Sequence, residues 1–166
     1  MGIKEITQPD IIDIDKELRL RTPNKNQWEV ALPWYENPKV LYYSEGVTDN
    51  KVYDMERVKG MYMYLSNAGE LYFIEVLENG VWKPIGDVTL SEENMPIAIG
   101  EEAYWGKGIG KKVIGSLIER AREIGLKRLQ VPSIYLYNSR SENLFTSLGF
   151  VEVSKNEKEK SFQLIL

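Results

Sequence analysis

The chain contains neither cysteine nor histidine. Without cysteine there is no disulfide, no thiolate nucleophile and none of the common zinc sites. Without histidine there is no imidazole base, no histidine-centred triad and no His-ligated metal, so no bound metal is expected. Any acid–base chemistry falls to Asp, Glu, Tyr, Lys or solvent. An excess of positive charge is missing too. The 21 Lys and Arg stand against 25 Asp and Glu, a formal net charge of -4, so no global basic field draws the protein to nucleic acid or anionic membrane, and neither is an expected partner. No apolar run approaches the roughly 20 residues of a membrane span. The opening MGIKEITQPDIIDIDKE lacks the basic start, apolar run and small-residue cleavage site of a secretory leader. A cytoplasmic protein is expected.

What is present reads as a single domain over residues 1–166, long enough to bury a core. In IIDIDKELRLRTP, Ile12 and Ile14 alternate with Asp13 and Asp15, and Leu18 and Leu20 with Arg19 and Arg21. Period two predicts one or two short strands there, the clearer over Glu17–Arg21 and ended by Pro23. Residues 28–43 are aromatic-rich and broken by Pro33 and Pro38, which predicts short helical pieces. Val52, Met55, Val58, Met61, Met63 and Leu65 recur mostly at helical spacing despite Gly60. GELYFIEVLENGVWKPIGDVTLS predicts a hairpin turning at Asn79-Gly80. MPIAIG follows as a short strand. Ile114, Leu117, Ile118, Ala121 and Ile124 form one helical stripe, with Gly125 as its C-terminal cap. KRLQVPSI predicts a strand, SRSENLFTSLGF a short helix and the remainder a terminal hairpin. The class is α+β with a mostly antiparallel sheet.

Between the MPIAIG strand and the striped helix lies EEAYWGKGIGKK, in which Gly106, Gly108 and Gly110 alternate with Lys107 and Ile109. A tight glycine loop opening a helix offers unpaired backbone N–H groups and the positive end of the helix dipole, a ready anion site, and Lys107, Lys111 and Lys112 add positive charge. A P-loop would need glycine where Trp105 stands and Ser or Thr where Lys112 stands, so that motif is excluded. A dinucleotide fingerprint would read G-x-G-x-x-G straight after a strand, and this stretch does not. A flexible strand-to-helix turn with solvated lysines is the plain alternative.

YWGKGIG resembles the acyl-CoA pyrophosphate loop of the GNAT acyltransferases, Q/R-x-x-G-x-G/A, with Gly108 and Gly110 at the glycine positions and Trp105 at the Gln/Arg position. NSRSENLFTSLGF resembles the family's second signature, an Asn followed by a helix ending in Gly-Phe. ELRLRTP and PIGDVTL are similar to the branch of ribosomal-protein and aminoglycoside N-acetyltransferases. The resemblance implies the GNAT fold, in which the strands flanking the striped helix splay apart and admit the pantetheine arm of acetyl-CoA. Pro132, disfavoured in a central strand, is tolerable at such a splay; alternatively it ends its strand early.

That resemblance implies that Ile99, Gly100 and Glu101 offer backbone groups to pantetheine. It also implies that Trp105, Gly106, Lys107, Gly108, Ile109, Gly110 and Lys111 wrap the pyrophosphate, and that Asn138 contacts the cofactor arm. Ser141 is expected to cap the following helix. The implied reaction is direct attack of an amine on the thioester, with an oxyanion near a backbone N–H of the splayed strand. A carboxylate base is expected, with Asp87 first and Glu75 second. Many relatives carry a tyrosine acid five residues before the Gly-Phe phenylalanine. Phe145 stands there instead, lining the cofactor; Tyr135 and Tyr137 are the nearest tyrosines in sequence, and Tyr137 is the expected substitute acid. The expected partners are acetyl-CoA and an amine acceptor, small molecule or protein, walled by the Tyr- and Trp-rich segment 28–64. The protein is expected to be a monomer or homodimer. A non-catalytic acyl-CoA sensor is the competing reading.

Overall fold

A computed structural model describes Ile3 and residues 5–166. The chain runs β1 (Ile11–Asp15), β2 (Leu18–Arg21), a 3-10 stretch (Lys25–Ala31), α1 (Leu32–Tyr35), α2 (Pro38–Glu45), α3 (Met55–Ala68), β3 (Glu70–Glu78) and β4 (Val81–Leu90). It continues through β5 (Ile97–Ile99), a 3-10 turn (Glu102–Tyr104), α4 (Ile109–Glu123), β6 (Arg128–Tyr135), α5 (Ser139–Ser147), β7 (Val151–Lys155) and β8 (Glu159–Ile165). Strands β1 to β5 pair in sequence order, and β6-β8-β7 form a second ladder, every pairing being antiparallel. The β3–β4 hairpin turns at Asn79 and Gly80, both at positive φ (53° and 76°), the primed turn whose twist matches its strands.

The central strand β3 is buried on both faces, and its alternation sorts the core into two layers. Tyr72, Ile74 and Val76 pack toward α4, against Val113, Ile114, Leu117, Ile118 and Ala121. Leu71 and Phe73 face the other way, onto Trp28, Trp34, Tyr35, Val58 and Tyr62 of the early helical pieces. Each fully buried large apolar side chain contributes about 1.5–3 kcal/mol. The α4 layer is also clamped by charge. Arg120 donates to both oxygens of the buried Glu70, at 3.0 and 2.8 Å, and the Tyr72 hydroxyl donates to the same carboxylate at 2.7 Å. Removing one partner of such a pair costs about 3–5 kcal/mol.

The two ladders do not join. Strand β6 approaches the β4–β5 connection only at its start, where Gln130 N–H donates to Glu92 O at 2.9 Å. Beyond that point β5 and β6 part, and both line one cavity. Pro132 does not end β6. It sits in a bulge, where residues 132 and 133 fall between the pairs Val131–Phe162 and Ile134–Lys160, and the strand runs on to Tyr135. The cap of α5 differs from expectation: Asn138, not Ser141, is the N-cap, because its Oδ1 accepts from Ser141 N–H at 3.1 Å.

Candidate active site

The glycine loop leads from β5 into α4. Gly106 and Gly108 both lie in the left-handed region, at φ 74° and 78°, and a Cβ on either would have no atom within 4 Å. Packing therefore does not demand glycine here; the backbone turn does, and it leaves the space before the helix bare. Gly108 is the N-cap of α4 and no side chain caps the helix, so its first N–H groups face open space. A cavity of about 210 Å³ lies there, lined by Trp105, Gly106, Gly108, Gly110, Lys111 and Arg140 among others. Trp105 is fixed by its Nε1–H, which donates to Ile99 O at 2.7 Å, and by the Arg140 guanidinium 4.6 Å from its ring centre. Lys107 and Lys111 have no ion-pair partner among the described residues. Lys112 is bound to Asp15 at 2.9 Å and is withdrawn from the loop's charge.

Strand β5 supplies the next part of the site. Pro96 O accepts from Thr89 N–H at 3.0 Å, and Gly100 N–H donates to Ile85 O at 2.7 Å. Residues 96 and 100 thus turn their backbone groups to β4, and alternation turns those of Ile97 and Ile99 to the free edge. Of the backbone groups expected to meet pantetheine, two are already engaged within the protein. The Gly100 N–H is spent within the sheet. The Glu101 carbonyl accepts from Tyr104 N–H at 3.0 Å, while its carboxylate pairs with Lys83 at 3.1 Å. The edge belongs to Ile97 and Ile99, with the Ile99 carbonyl already held by Trp105.

A second cavity, of about 340 Å³, opens off the first across shared walls at Tyr43, Ser44, Ile97, Ala98, Asn138 and Ser141. It fills the gap between β5 and β6. Asp87 of β4 stands in its wall, 3% exposed, with Oδ2 accepting from the Tyr35 and Tyr62 hydroxyls at 2.5 and 2.6 Å. Burial pushes Asp87 up to about 6 against the opposing pull of those two hydrogen bonds. Glu45, the last residue of α2, lines the same cavity. Although solvent reaches it, the surrounding protein and then the charge of Asp87 push it up to about 7, partly offset by Arg57 and the Tyr53 hydroxyl.

Tyr135, the end of β6, also lines this cavity, its phenol raised by burial and by the charges of Glu159 and Glu45. Phe145 forms part of the wall, edge-on to Phe150 at 5.1 Å. Asn138 borders both cavities. Its oxygen caps α5 and its Nδ2 donates to Tyr43 O at 3.2 Å, which leaves one amide hydrogen for a ligand. Two expected residues are not brought here. Glu75 is held by Arg19 and Arg21 at 2.8 and 2.7 Å, outside both cavities. Tyr137 stacks on Tyr42 at 4.0 Å and donates its hydroxyl to Tyr42 O at 2.5 Å; it lines neither cavity.

The acetyltransferase (GNAT) family profile matches residues 31–150. The chain belongs to the GNAT acetyltransferase family. As a GNAT protein it is 28% identical over 151 residues to an uncharacterized protein of Methanocaldococcus jannaschii, covering 88% of this chain and 30% of that one, so the chain spans less than a third of the curated relative it matches. Among solved structures it is similar to a domain from Methanocaldococcus jannaschii DSM 2661, at 25% identity and a TM-score of 0.76, over 92% of this chain and all of that one. The fold is also that of the microcin C7 self-immunity acetyltransferase MccE, solved with acetyl-CoA and AMP, at 17% identity and a TM-score of 0.73, over 96% and 98% of the two chains.

Within this GNAT site three residues escaped the sequence reading. Ile97 needed the strand's phase. Glu45 needed the packing of α2 against β5, which brings it within reach of the Asp87 charge. Arg140, beside Asn138 in NSRSENLF, could have been marked as a cation at the start of the second signature. No helix among the described residues is long and apolar enough to cross a membrane.

Proposed function

We infer that the protein transfers the acetyl group of acetyl-CoA to a primary amine by direct attack on the thioester. The observation that carries this reading is the junction at Ile97. There a cavity facing an uncapped helix start meets one walled by a carboxylate raised to about 7. The residues fit acetyl-CoA. The N–H groups at the start of α4, with Lys107, Lys111 and Arg140, suit the pyrophosphate. The pantetheine arm then runs back along the free edge of β5, from Ile99 to Ile97, bordered by Asn138 and Phe145, and brings the thioester to the second cavity.

There Glu45, directly or through one water, takes the proton of the incoming ammonium; Asp87, buried and engaged by two tyrosines, tunes Glu45 rather than reaching the amine itself. The amine nitrogen bonds to the carbonyl carbon, and the oxyanion accepts from an edge N–H of β5. The C–S bond breaks, the departing thiolate takes a proton from Tyr135, and the second proton of the new amide nitrogen passes through solvent back to the Tyr135 phenolate. Phe145 has no proton to give, which favours the sensor as a second reading, and Tyr135 answers it. Thiol released from acetyl-CoA in the presence of a panel of amines separates the two: an enzyme releases it with an acceptor, while a sensor binds CoA and releases none.

A further inference from the structure

The two cavities divide the charge of the site between them. Among the described residues, the only charged ones lining the first are Lys111 and Arg140, and the only ones lining the second are Glu45 and Asp87. Arg57 acts on Glu45 but stacks on Tyr53, 4.6 Å from its ring centre, and does not line the cavity. Beyond the carboxylates, Met61, Tyr64 and Leu65 of α3 and Tyr135 of β6 give this cavity an apolar and aromatic part, and its other polar lining, Asn94 and Ser133 included, is uncharged. Tyr64 is 71% exposed, an aromatic face standing where the cavity opens to solvent.

We propose that the acceptor is a small primary monoamine on an uncharged apolar or aromatic body, with no carboxylate near its nitrogen. This rests on the assignment of the second cavity to the acceptor. The ammonium is drawn to Glu45 and Asp87, which no lining cation neutralises. A carboxylate one carbon from the nitrogen would be carried against the same two groups, and like charges at that range repel strongly in a partly desolvated pocket. The body lies against Met61 and Leu65 and stacks on Tyr64 and Tyr135, surfaces with nothing to satisfy a second charge. A protein substrate would bring peptide N–H and C=O groups to that same apolar wall, where they have few partners.

The probes are 2-phenylethylamine, phenylalanine, which adds only the carboxylate, and a neutral lysine-containing peptide, each with acetyl-CoA at pH 8. The expected kcat/KM for phenylethylamine exceeds that for phenylalanine by at least a hundredfold, and exceeds that of the peptide. The order runs against amine availability, because phenylalanine's nitrogen is the less basic and more of it is unprotonated at pH 8. In Asp87→Asn the preference over phenylalanine shrinks at least tenfold. Equal or better use of phenylalanine or the peptide, or an undiminished preference in Asp87→Asn, overturns the proposal. Calorimetric affinities of the same probes for the CoA-loaded protein separate the two readings. The same order without turnover upholds the acceptor class and removes the enzymatic reading. No preference in binding, with turnover intact, removes the acceptor class alone.

Discussion

Tyr135 lies across Gly46 so closely that a β-carbon there would stand 2.6 Å from the ring's Cζ and from its hydroxyl oxygen. Gly46 ends α2 in the left-handed conformation, at φ 70°, one residue after Glu45. Bare backbone at that position therefore lets the assigned acid and the assigned base share one wall. Gly46→Ala strains the turn by about 1–2 kcal/mol and drives the tyrosine ring aside. Tyr135→Phe is expected to lower kcat about 10²-fold at unchanged CoA affinity, Gly46→Ala to lower it in the same direction, and Tyr137→Phe to leave it within twofold. Steady-state rates with parallel CoA titrations check this. A Tyr137→Phe loss with an intact Tyr135→Phe would reverse the assignment.

The choice between those tyrosines shows what the sequence could carry. Period two puts Tyr135 and Tyr137 on one side, and it holds only while the strand lasts. Strand β6 stops at Tyr135 and the chain turns at Leu136 and Tyr137; the Tyr137 ring still stacks on Tyr135 at 5.5 Å, but it lies against Tyr42 with its hydroxyl held by Tyr42 O, and only Tyr135 reaches the cavity. Local signals survived: the Asn79-Gly80 turn, the stripe of α4 and the glycine loop are each written in a few adjacent residues. The phase of β5 was not legible, because three residues of IAI look alike from either edge until Gly100 is found bonded to Ile85. Glu45 was not legible either, since its raised carboxyl comes from the protein packed around it and then from Asp87, a residue on another element.

The rate should follow the ionisation of Glu45. The base works only when unprotonated, so kcat/KM for the amine is expected to fall as pH drops below about 7, the value to which the surrounding protein and the charge of Asp87 raise this carboxyl. Asp87→Asn removes the neighbouring charge, lowers the pKa of Glu45 and moves that limb toward acid. A second limb at higher pH belongs to the acceptor's own ammonium and stays in place. An acidic limb that ignores Asp87→Asn assigns the titration to another group.

Gly108→Val tests the loop. The φ of 78° is strained for any β-branched residue, and the side chain would fill the open space before α4. CoA affinity by calorimetry is expected to fall at least a hundredfold, with a stability loss of only about 1–2 kcal/mol. Unchanged affinity would move the anion away from this helix start.

Burying Asp87 trades stability for chemistry. Its carboxyl is raised from its ordinary 3.8 to about 6, so the folded state holds that proton more tightly than the unfolded state does. The resulting stability is full below pH 3.8 and is lost as pH rises through 6, a loss of about 3 kcal/mol at neutral pH and above. Asparagine keeps an oxygen for Tyr35 and Tyr62 and loses the titration. Asp87→Asn is therefore expected to gain on the wild type as pH rises, by about 1 kcal/mol between pH 5 and pH 8 in denaturant unfolding. A gap of the same size at both pH values would place the raised pKa elsewhere.

The most direct test is the effect of Glu45→Gln on acetyl transfer from acetyl-CoA to the best amine, with CoA affinity measured on the same samples. The account predicts transfer by the wild type, a loss of about 10²–10⁴-fold in the variant at pH 8, and CoA affinity within twofold. A variant as fast as the wild type, or a wild type that binds CoA and acetylates no amine, would contradict it.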